Sequence, residues 1–269
     1  MQENYLRRFD FSNKSKRLPV CFCIDTSSSM DRVIDGFESA RPTGKSKFVD
    51  QNNYNEVDGG ITVMDKINEG IANFYRAIRE AEIACDCCEI AVVTFNDEPT
   101  LYDGFSSVDE KTDPCFKAVE NGNSVFTSAI KMSLEILEEQ KTFLKNNKIN
   151  YYQPWLVLFT DGLPSDDVYL IKQELMKMQT APDPKLTVYT VGFPANKELS
   201  EELMEHLNGY SIFPPITCQK PAEIKKFFTY LVQSVSVAAM GKKPAPYVYN
   251  DPDSKSEEPK KKNTAKNFF

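Results

Sequence analysis

The chain has 269 residues, of which 41% are hydrophobic and 26% charged, proportions that are ordinary for a globular protein. Its net charge of -7 argues against a dedicated nucleic-acid-binding protein, because such proteins present a basic surface. No apolar run approaches the ~20 residues of a membrane-spanning helix, and residues 1–17 lack the apolar stretch of a signal peptide. We therefore expect a cytoplasmic protein with neither nucleic-acid nor membrane partners.

Apolar runs alternate with amphipathic segments along the chain, a pattern that predicts a parallel sheet covered by helices. The main predicted strands are Leu18–Ile24, Glu89–Phe95, Trp155–Thr160 and Leu186–Val191. The first and third are continuously apolar, as expected for strands buried on both faces. Pro99–Phe105 follows its predecessor after three residues and should pair with it as an antiparallel edge strand. A weak last strand is predicted near Tyr210–Phe213.

Five helices are predicted from apolar residues at helical spacing. The first begins near Met64, and the others cover about Val125–Lys145, Asp167–Met178, Ser200–Leu207 and the segment from Pro221 to Val235. Together with the strands, they predict an α/β fold with a doubly wound, mostly parallel sheet, one antiparallel edge strand and helices on both faces.

Three segments interrupt or flank this pattern, so we divide the chain into a polar arm (1–17), one domain (18–240) and a disordered tail (241–269). Within the domain, residues 31–62 lack hydrophobic periodicity and predict a long loop. Loops of that length inside a compact domain are uncommon and are usually functional. The loop is either a lid or rim that selects a partner, or an inert surface insertion.

The cysteines and the single histidine limit the chemistry. Cys21 and Cys23 alternate within the first predicted strand, and further cysteines precede the second at positions 85, 87 and 88. A structural zinc site would need paired C-x-x-C units, so buried reduced thiols are the favoured interpretation. His206 lies in a surface-helix pattern, which argues against histidine-dependent catalysis.

Two predicted strands end in polar side chains that suit a cation. Asp25 ends the first strand and is followed by Ser27 and Ser29 at alternate positions, while Asp161 follows the third strand. Ligands of open parallel sheets bind beyond the carboxyl ends of the strands. We therefore expect these four side chains to share one edge of the sheet.

A further hydroxyl comes from Ser124, just before the long helix, with Thr127 as a substitute. Carboxylate and hydroxyl oxygens suit Mg²⁺, Mn²⁺ or Ca²⁺ better than a soft metal. Neutral hydroxyls leave the cation incompletely neutralised, so an open position should attract an acidic group of a partner.

The motif D-x-S-x-S at Asp25, the downstream hydroxyl and Thr-Asp-Gly after a buried strand resemble the metal-ion-dependent adhesion site of von Willebrand factor A domains. Further segments resemble the bacterial TerY-like, tellurium-resistance-associated subgroup. These segments are Arg17-Leu-Pro-Val, Gln153-Pro-Trp-Leu-Val-Leu-Phe-Thr-Asp-Gly-Leu-Pro-Ser-Asp166 and Phe227-Phe228-Thr-Tyr-Leu-Val-Gln-Ser-Val235. The resemblance covers most of residues 18–238.

The resemblance implies that Ser27 and Ser29 bind the metal directly and that Asp25 and Asp161 act directly or through water. Ser124 takes the place of the family's threonine, and Ser28 that of its usual glycine. The resemblance also implies a metal-gated binding module without intrinsic catalysis. Its partner supplies Asp or Glu to the metal, and could be a protein kinase or phosphatase encoded nearby, in stress or phage-response signalling.

Other interpretations stay open. Ser27, Ser29 and Ser124 could simply cap helices, as serines often do. Asp25 could be the nucleophile of a Mg²⁺-dependent phosphatase or phosphotransferase, although Ser27 stands where the general acid of such enzymes is expected. A structural scaffold with a decayed metal site is the third alternative. Asp166 and Asp167 suit a helix start, and Asp166 lies near enough to contribute outside the direct ligands.

Overall fold

The computed structural model describes residues 15–49, 52–119, 122–181, 185–195 and 197–247. Its strands are β1 (Leu18–Asp25), β2 (Val33–Asp35), β3 (Arg41–Val49), β4 (Asn52–Asp58), β5 (Ile61–Thr62), β6 (Cys88–Phe95), β7 (Pro99–Ser107), β8 (Trp155–Thr160), β9 (Thr187–Gly192) and β10 (Ile216–Thr217). Its α-helices are α1 (Val63–Glu80), α2 (Glu82–Cys87), α3 (Phe126–Asn146), α4 (Tyr169–Thr180), α5 (Lys197–Leu207) and α6 (Pro221–Ala239).

Six strands form the central sheet in the order β10-β9-β8-β1-β6-β7. All neighbours are parallel except β6 and β7, which pair antiparallel at one edge. Every residue of β1 and of β8 is buried, because helices cover both faces. The predicted doubly wound α/β sheet with an antiparallel edge strand is therefore confirmed.

Alternate residues of β1 belong to two separate cores. Val20 and Phe22 pack in the cluster that includes α1 and α6. Cys21 and Cys23 pack in the cluster that includes α3, α4 and α5. Since side chains alternate across a strand, Asp25 continues the second series and is directed towards the side of α3.

Helix α1 begins where the sequence supplies a capping box. The Thr62 hydroxyl accepts from the backbone N–H of Asp65 at 3.1 Å, and the Asp65 carboxylate accepts from that of Thr62 at 2.9 Å. This reciprocal pair satisfies two backbone donors that helix formation would leave free. It also fixes the point at which the chain returns from the 31–62 insertion to the helix.

The absence of a side chain at Gly70 allows α1 to approach α6 closely. This contact gives the first of our predictions. A Cβ atom at this position would lie 2.2 Å from the ring of Phe228, which is buried. We expect Gly70→Ala to destabilise the fold, since overpacking costs about 1–3 kcal/mol and exceeds the helix-propensity gain of up to about 1 kcal/mol. Urea unfolding would measure the loss. Gly104→Ala is the control, because no atom lies within 4 Å of its added Cβ; equal midpoints for the two variants would contradict the packing argument.

The sequence analysis predicted residues 31–62 to be a long loop without secondary structure, but this insertion contains four strands. Strands β2 and β5 pair antiparallel at its base, and β3 and β4 form a hairpin beyond them. Gly59 and Gly60 join the two pairs with positive φ angles of 86° and 87°, which favour glycine. The prediction failed because the hairpin lies outside the main sheet and lacks an alternating apolar face.

Two smaller elements also differ from the sequence predictions. The last strand is Ile216–Thr217, parallel to β9, whereas the predicted segment Tyr210–Phe213 contributes only an isolated bridge at Ser211. The short helix α2 was not predicted. It contains Cys85 and Cys87 and leads directly into β6.

Residues just outside the predicted domain bounds of 18–240 contact residues within them. Arg17 is buried and donates from its backbone N–H to the carbonyl of Asn150 at 2.9 Å. At the other end, the Tyr230 hydroxyl donates to the carbonyl of Ala245, and Tyr247 packs on Tyr230. Of the predicted arm (1–17), residues 1–14 lie outside the described residues, and so do residues 248–269 of the predicted disordered tail (241–269).

All seven cysteines are described, and none is in a disulfide. Cys21 and Cys23 are buried as predicted, but Cys115 is exposed and Cys85 is half-buried, so the cysteines are not uniformly core residues. His206 is half-buried on α5. None of the helices in the described part of the chain combines the length and hydropathy needed to cross a bilayer.

Candidate metal centre

The two predicted acidic residues lie at the same edge of the sheet because β1 and β8 are parallel neighbours. Their register places Ile24 beside Phe159, so both strands reach their carboxyl ends together. Asp25 is the last residue of β1, and Asp161 immediately follows β8. The convergence that the sequence predicts thus follows from strand order.

The carboxylate of Asp25 is fully buried and accepts three hydrogen bonds. Its Oδ1 accepts from the backbone N–H of Ser27 at 2.8 Å. Its Oδ2 accepts from the hydroxyls of Ser124 at 2.9 Å and Thr160 at 2.7 Å. Burial raises the pKa of Asp25, and these hydrogen bonds oppose that rise. The ionised carboxylate is therefore a position where a nearby cation would be strongly stabilising.

A second set of contacts joins the serines to Asp161. The hydroxyls of Ser27 and Ser29 lie 3.2 Å apart, and the Ser29 hydroxyl donates to Oδ1 of Asp161 at 2.6 Å. Ser29 and Asp161 are 132 residues apart in sequence and are both partly exposed. With Asp25 and Ser124, these residues form one contiguous group, so the structure brings all five predicted residues together.

Ser27 and Ser124 do not cap helices through their side chains. Ser27 precedes a short 3₁₀ turn but makes no side-chain capping bond there. Ser124 precedes Val125, the N-cap residue of α3, and its hydroxyl is directed to Asp25. Thr127, the predicted substitute for Ser124, is half-buried and donates instead to the carbonyl of Asp167.

The N-terminus of α3 is capped by a residue distant in sequence, which gives a second prediction. The two carboxylate oxygens of Asp166 accept from the backbone N–H groups of Phe126 at 2.8 Å and Thr127 at 2.9 Å. Its neighbour Ser165 donates from its backbone to the carbonyl of Ser124 at 2.9 Å. We expect Asp166→Ala to cost about 1–2 kcal/mol of stability and to weaken metal binding by loosening Ser124.

Thermal unfolding and metal titration would measure these two effects. Asp167→Ala is the matched control, since Asp167 is exposed and its carboxylate accepts from the backbone N–H of Tyr169 at the start of α4 and not from α3. The control should lose less stability and keep its metal affinity. Equal losses in both variants would contradict the assignment of Asp166 as the cap of α3.

The donor set fits a hard divalent cation. Among the described residues no cluster of three or more histidine, cysteine, aspartate or glutamate side chains could hold a metal. A cation at this edge would therefore depend on two carboxylates with serine hydroxyls. Such oxygen donors suit Mg²⁺, which keeps several waters where the protein offers few ligands. Ser28 stands where von Willebrand factor A domains usually have a glycine. Its backbone is not strained, because its φ angle is not positive; among the described non-glycine residues, positive φ occurs at Lys148 alone.

Thr160 was not among the predicted site residues, although it makes the shortest of the hydrogen bonds to the Asp25 carboxylate. It is fully buried, and its hydroxyl also lies 3.2 Å from the backbone N of Gly162. A threonine at the last position of a buried apolar strand was the available signal. It orients Asp25 and the turn that follows β8.

Solved structures of similar fold are known, although the sequence itself has no matching relative. No family model matches the chain, and no curated protein sequence matches it. The PilB minor pilin from Streptococcus sanguinis is similar in structure, with 13% identity and a TM-score of 0.55 over 84% of this chain and 62% of that one. A von Willebrand factor type A protein from Catenulispora acidiphila is also similar, with 13% identity and a TM-score of 0.50 over 82% and 43%.

The chain thus spans less than two thirds of either neighbour's length. At such identities the likeness shows the fold alone, and that fold is the α/β fold of von Willebrand factor A domains, as the sequence predicted. The TerY-like subgroup and the metal-binding roles of the five residues stay predictions.

Proposed function

We propose that this chain is a protein-interaction module that depends on a divalent cation, Mg²⁺ or alternatively Mn²⁺ or Ca²⁺. Asp25, Ser27, Ser29, Ser124 and Asp161 would hold the cation, and an acidic side chain of a partner protein would complete its ligands. The supporting observation is the contiguous group in which the backbone N–H of Ser27 and serine hydroxyls link two carboxylates at the ends of separate strands.

Burial divides the group into an inner and an outer part. Asp25 is fully buried, and Ser27 and Ser124 are nearly so. Ser29 and Asp161 line a cavity of about 1000 Å³. In the proposed function the buried carboxylate supplies most of the stabilising charge, while the outer edge leaves the cation accessible. A partner carboxylate would reach it through this cavity.

The enzymatic alternative is less well supported. Both carboxylate oxygens of Asp25 accept hydrogen bonds, and the side chain is 0% exposed, so a substrate phosphate has no path for attack by this group. We therefore propose a binding protein and not an enzyme. Phosphate release from generic phosphomonoesters in Mg²⁺ would favour the enzymatic alternative.

The biological setting rests on the sequence resemblance alone. On that basis we propose a cytoplasmic role in bacterial stress or phage-response signalling linked to tellurium resistance. The partner could be a kinase or phosphatase encoded nearby.

Affinity capture tests the proposed function and gives a third prediction. The full chain, immobilised in Mg²⁺ and exposed to lysate of its native cells, should retain a protein that EDTA releases. Ser29→Ala should reduce this capture at least tenfold, because Ser29 is the accessible hydroxyl and contacts Asp161. Ser128→Ala on α3 is the control, since that hydroxyl contacts only the carbonyl of Val125. Capture that survives EDTA, or that Ser29→Ala leaves unchanged, would contradict the proposal.

A further inference from the structure

The 31–62 insertion and helix α5 enclose a groove beside the candidate metal centre. We call this cavity of about 1000 Å³ the insertion groove. Its volume is at the upper end of the range for small-molecule sites. Its lining includes Ser29 and Asp161 next to the metal centre, Phe37 and Val57 from the insertion, and Leu163 and Leu203 from outside the insertion.

The insertion wall of the groove is anchored to the metal-binding loop. The carbonyl of Arg32 accepts from the backbone N–H of Val63 at 3.0 Å, which closes the base of the insertion. The Arg32 guanidinium donates to the carbonyl of Phe193 at 2.6 Å, beyond the end of β9. A Cβ atom at Gly60 would lie 2.7 Å from Val33, so the base is closely packed. These contacts hold the base of the insertion against the metal-binding loop and the end of β9.

Large apolar side chains are exposed at the groove. Phe37 is 65% exposed on the insertion side, and Leu163 is 41% exposed just after Asp161. Exposed apolar side chains next to a cavity typically mark a protein-interaction surface. Covering these side chains with a partner removes apolar surface from water and therefore favours binding. An extended segment of a partner would bury both while its acidic group reaches the cation.

The negative charges of the groove favour a partner segment that carries a basic residue near its metal-binding Asp or Glu. Asp31, Glu56 and Glu202 line it, and Arg32 is the sole basic residue among the described lining residues. The Arg32 guanidinium already donates to Phe193. A second acidic side chain of the partner would be repelled here, whereas a lysine or arginine would be attracted.

We propose that the insertion groove determines which partner binds, an inference that rests on the proposed metal-dependent function. Its occupant is a partner-protein segment with three features. It presents Asp or Glu to the cation, an apolar side chain to Phe37 and Leu163, and a lysine or arginine to Glu56 and Glu202.

A library of random 12-residue peptides displayed on phage tests this inference. The full chain is immobilised in MnCl₂, and bound phage are eluted with EDTA. Selected peptides should combine an acidic, an apolar and a basic residue. The double variant Glu56→Lys/Glu202→Lys should bind those peptides at least tenfold more weakly and should select a second acidic residue in place of the basic one. Glu135→Lys/Glu139→Lys, two exposed positions on α3, is the control and should select the wild-type pattern.

Three results would overturn the groove inference for a chain that binds Mn²⁺ in a separate titration. They are peptides with an acidic residue and no other preference, an unchanged pattern in the double variant, and the absence of any EDTA-eluted peptide. A chain that fails to bind Mn²⁺ would instead refute the proposed function itself. The two failures are therefore distinguishable.

Discussion

Replacing Asp25 with asparagine is expected to abolish divalent-metal binding while leaving the metal-free chain at least as stable as the wild type. Burial raises the pKa of Asp25 in the folded state, so ionisation above the unfolded-state pKa favours unfolding. At neutral pH the buried carboxylate thus costs stability, and a neutral amide of the same shape avoids this cost. The Asn oxygen can keep the bond from the Ser27 backbone, and the Ser124 and Thr160 hydroxyls can rotate to accept from the amide.

Thermal unfolding with and without Mg²⁺ would measure both effects. At a concentration 100 times its dissociation constant, a bound cation stabilises the folded state by about 2.7 kcal/mol. Wild-type chain should show such a shift, and Asp25→Asn none. Asp113→Asn, at an exposed loop position, should behave as wild type. An Asp25→Asn variant that is strongly destabilised without metal would show that Asp25 is needed mainly for folding.

Replacing the β3–β4 hairpin with two glycines is expected to remove partner capture while keeping metal affinity within a few-fold. Arg41 pairs with Asp58 at the base of the hairpin, so the ends of the deleted segment are adjacent. The β2–β5 pair and the contact of Arg32 with Phe193 remain. None of the five candidate metal residues lies in 41–58, but Glu56 and Val57 of the insertion groove do.

Capture in Mg²⁺ should fall at least tenfold in this variant, and a Mn²⁺ titration should be nearly unchanged. This combination separates partner selection from metal binding, as a lid or rim would require. Unchanged capture would show that the hairpin is an inert surface insertion. Loss of metal binding would show instead that the hairpin is needed to hold the metal loop itself.

The central strands of the sheet could be predicted because they are apolar runs buried on both faces. All residues of β1 and β8 are buried, and periodic apolar residues on α1 and α6 cover one face of the sheet. The β3–β4 hairpin could not be predicted in this way. It pairs outside the main sheet, and residues 41–46 are exposed, so its sequence carries no alternating apolar pattern.

At the candidate site, too, residues that belong to a sequence pattern could be predicted and residues outside such a pattern could not. Asp25, Ser27 and Ser29 are neighbours in sequence, and strand order brings Asp161 beside them, so a motif and a fold class were sufficient. Asp166 caps a helix that begins 40 residues earlier in the chain. No local pattern connects two such segments, and only the loop conformation after β8 brings them together.

Isothermal titration calorimetry of the full chain with MgCl₂ and MnCl₂ tests most directly whether these oxygen atoms hold one cation. Wild-type chain should bind one ion per molecule. Asp25→Asn and Asp161→Asn should each weaken binding at least a hundredfold, since each removes one of two charged ligands. Heat of binding that is absent in the wild type, or that persists unchanged in both variants, would contradict a metal centre at this edge of the sheet.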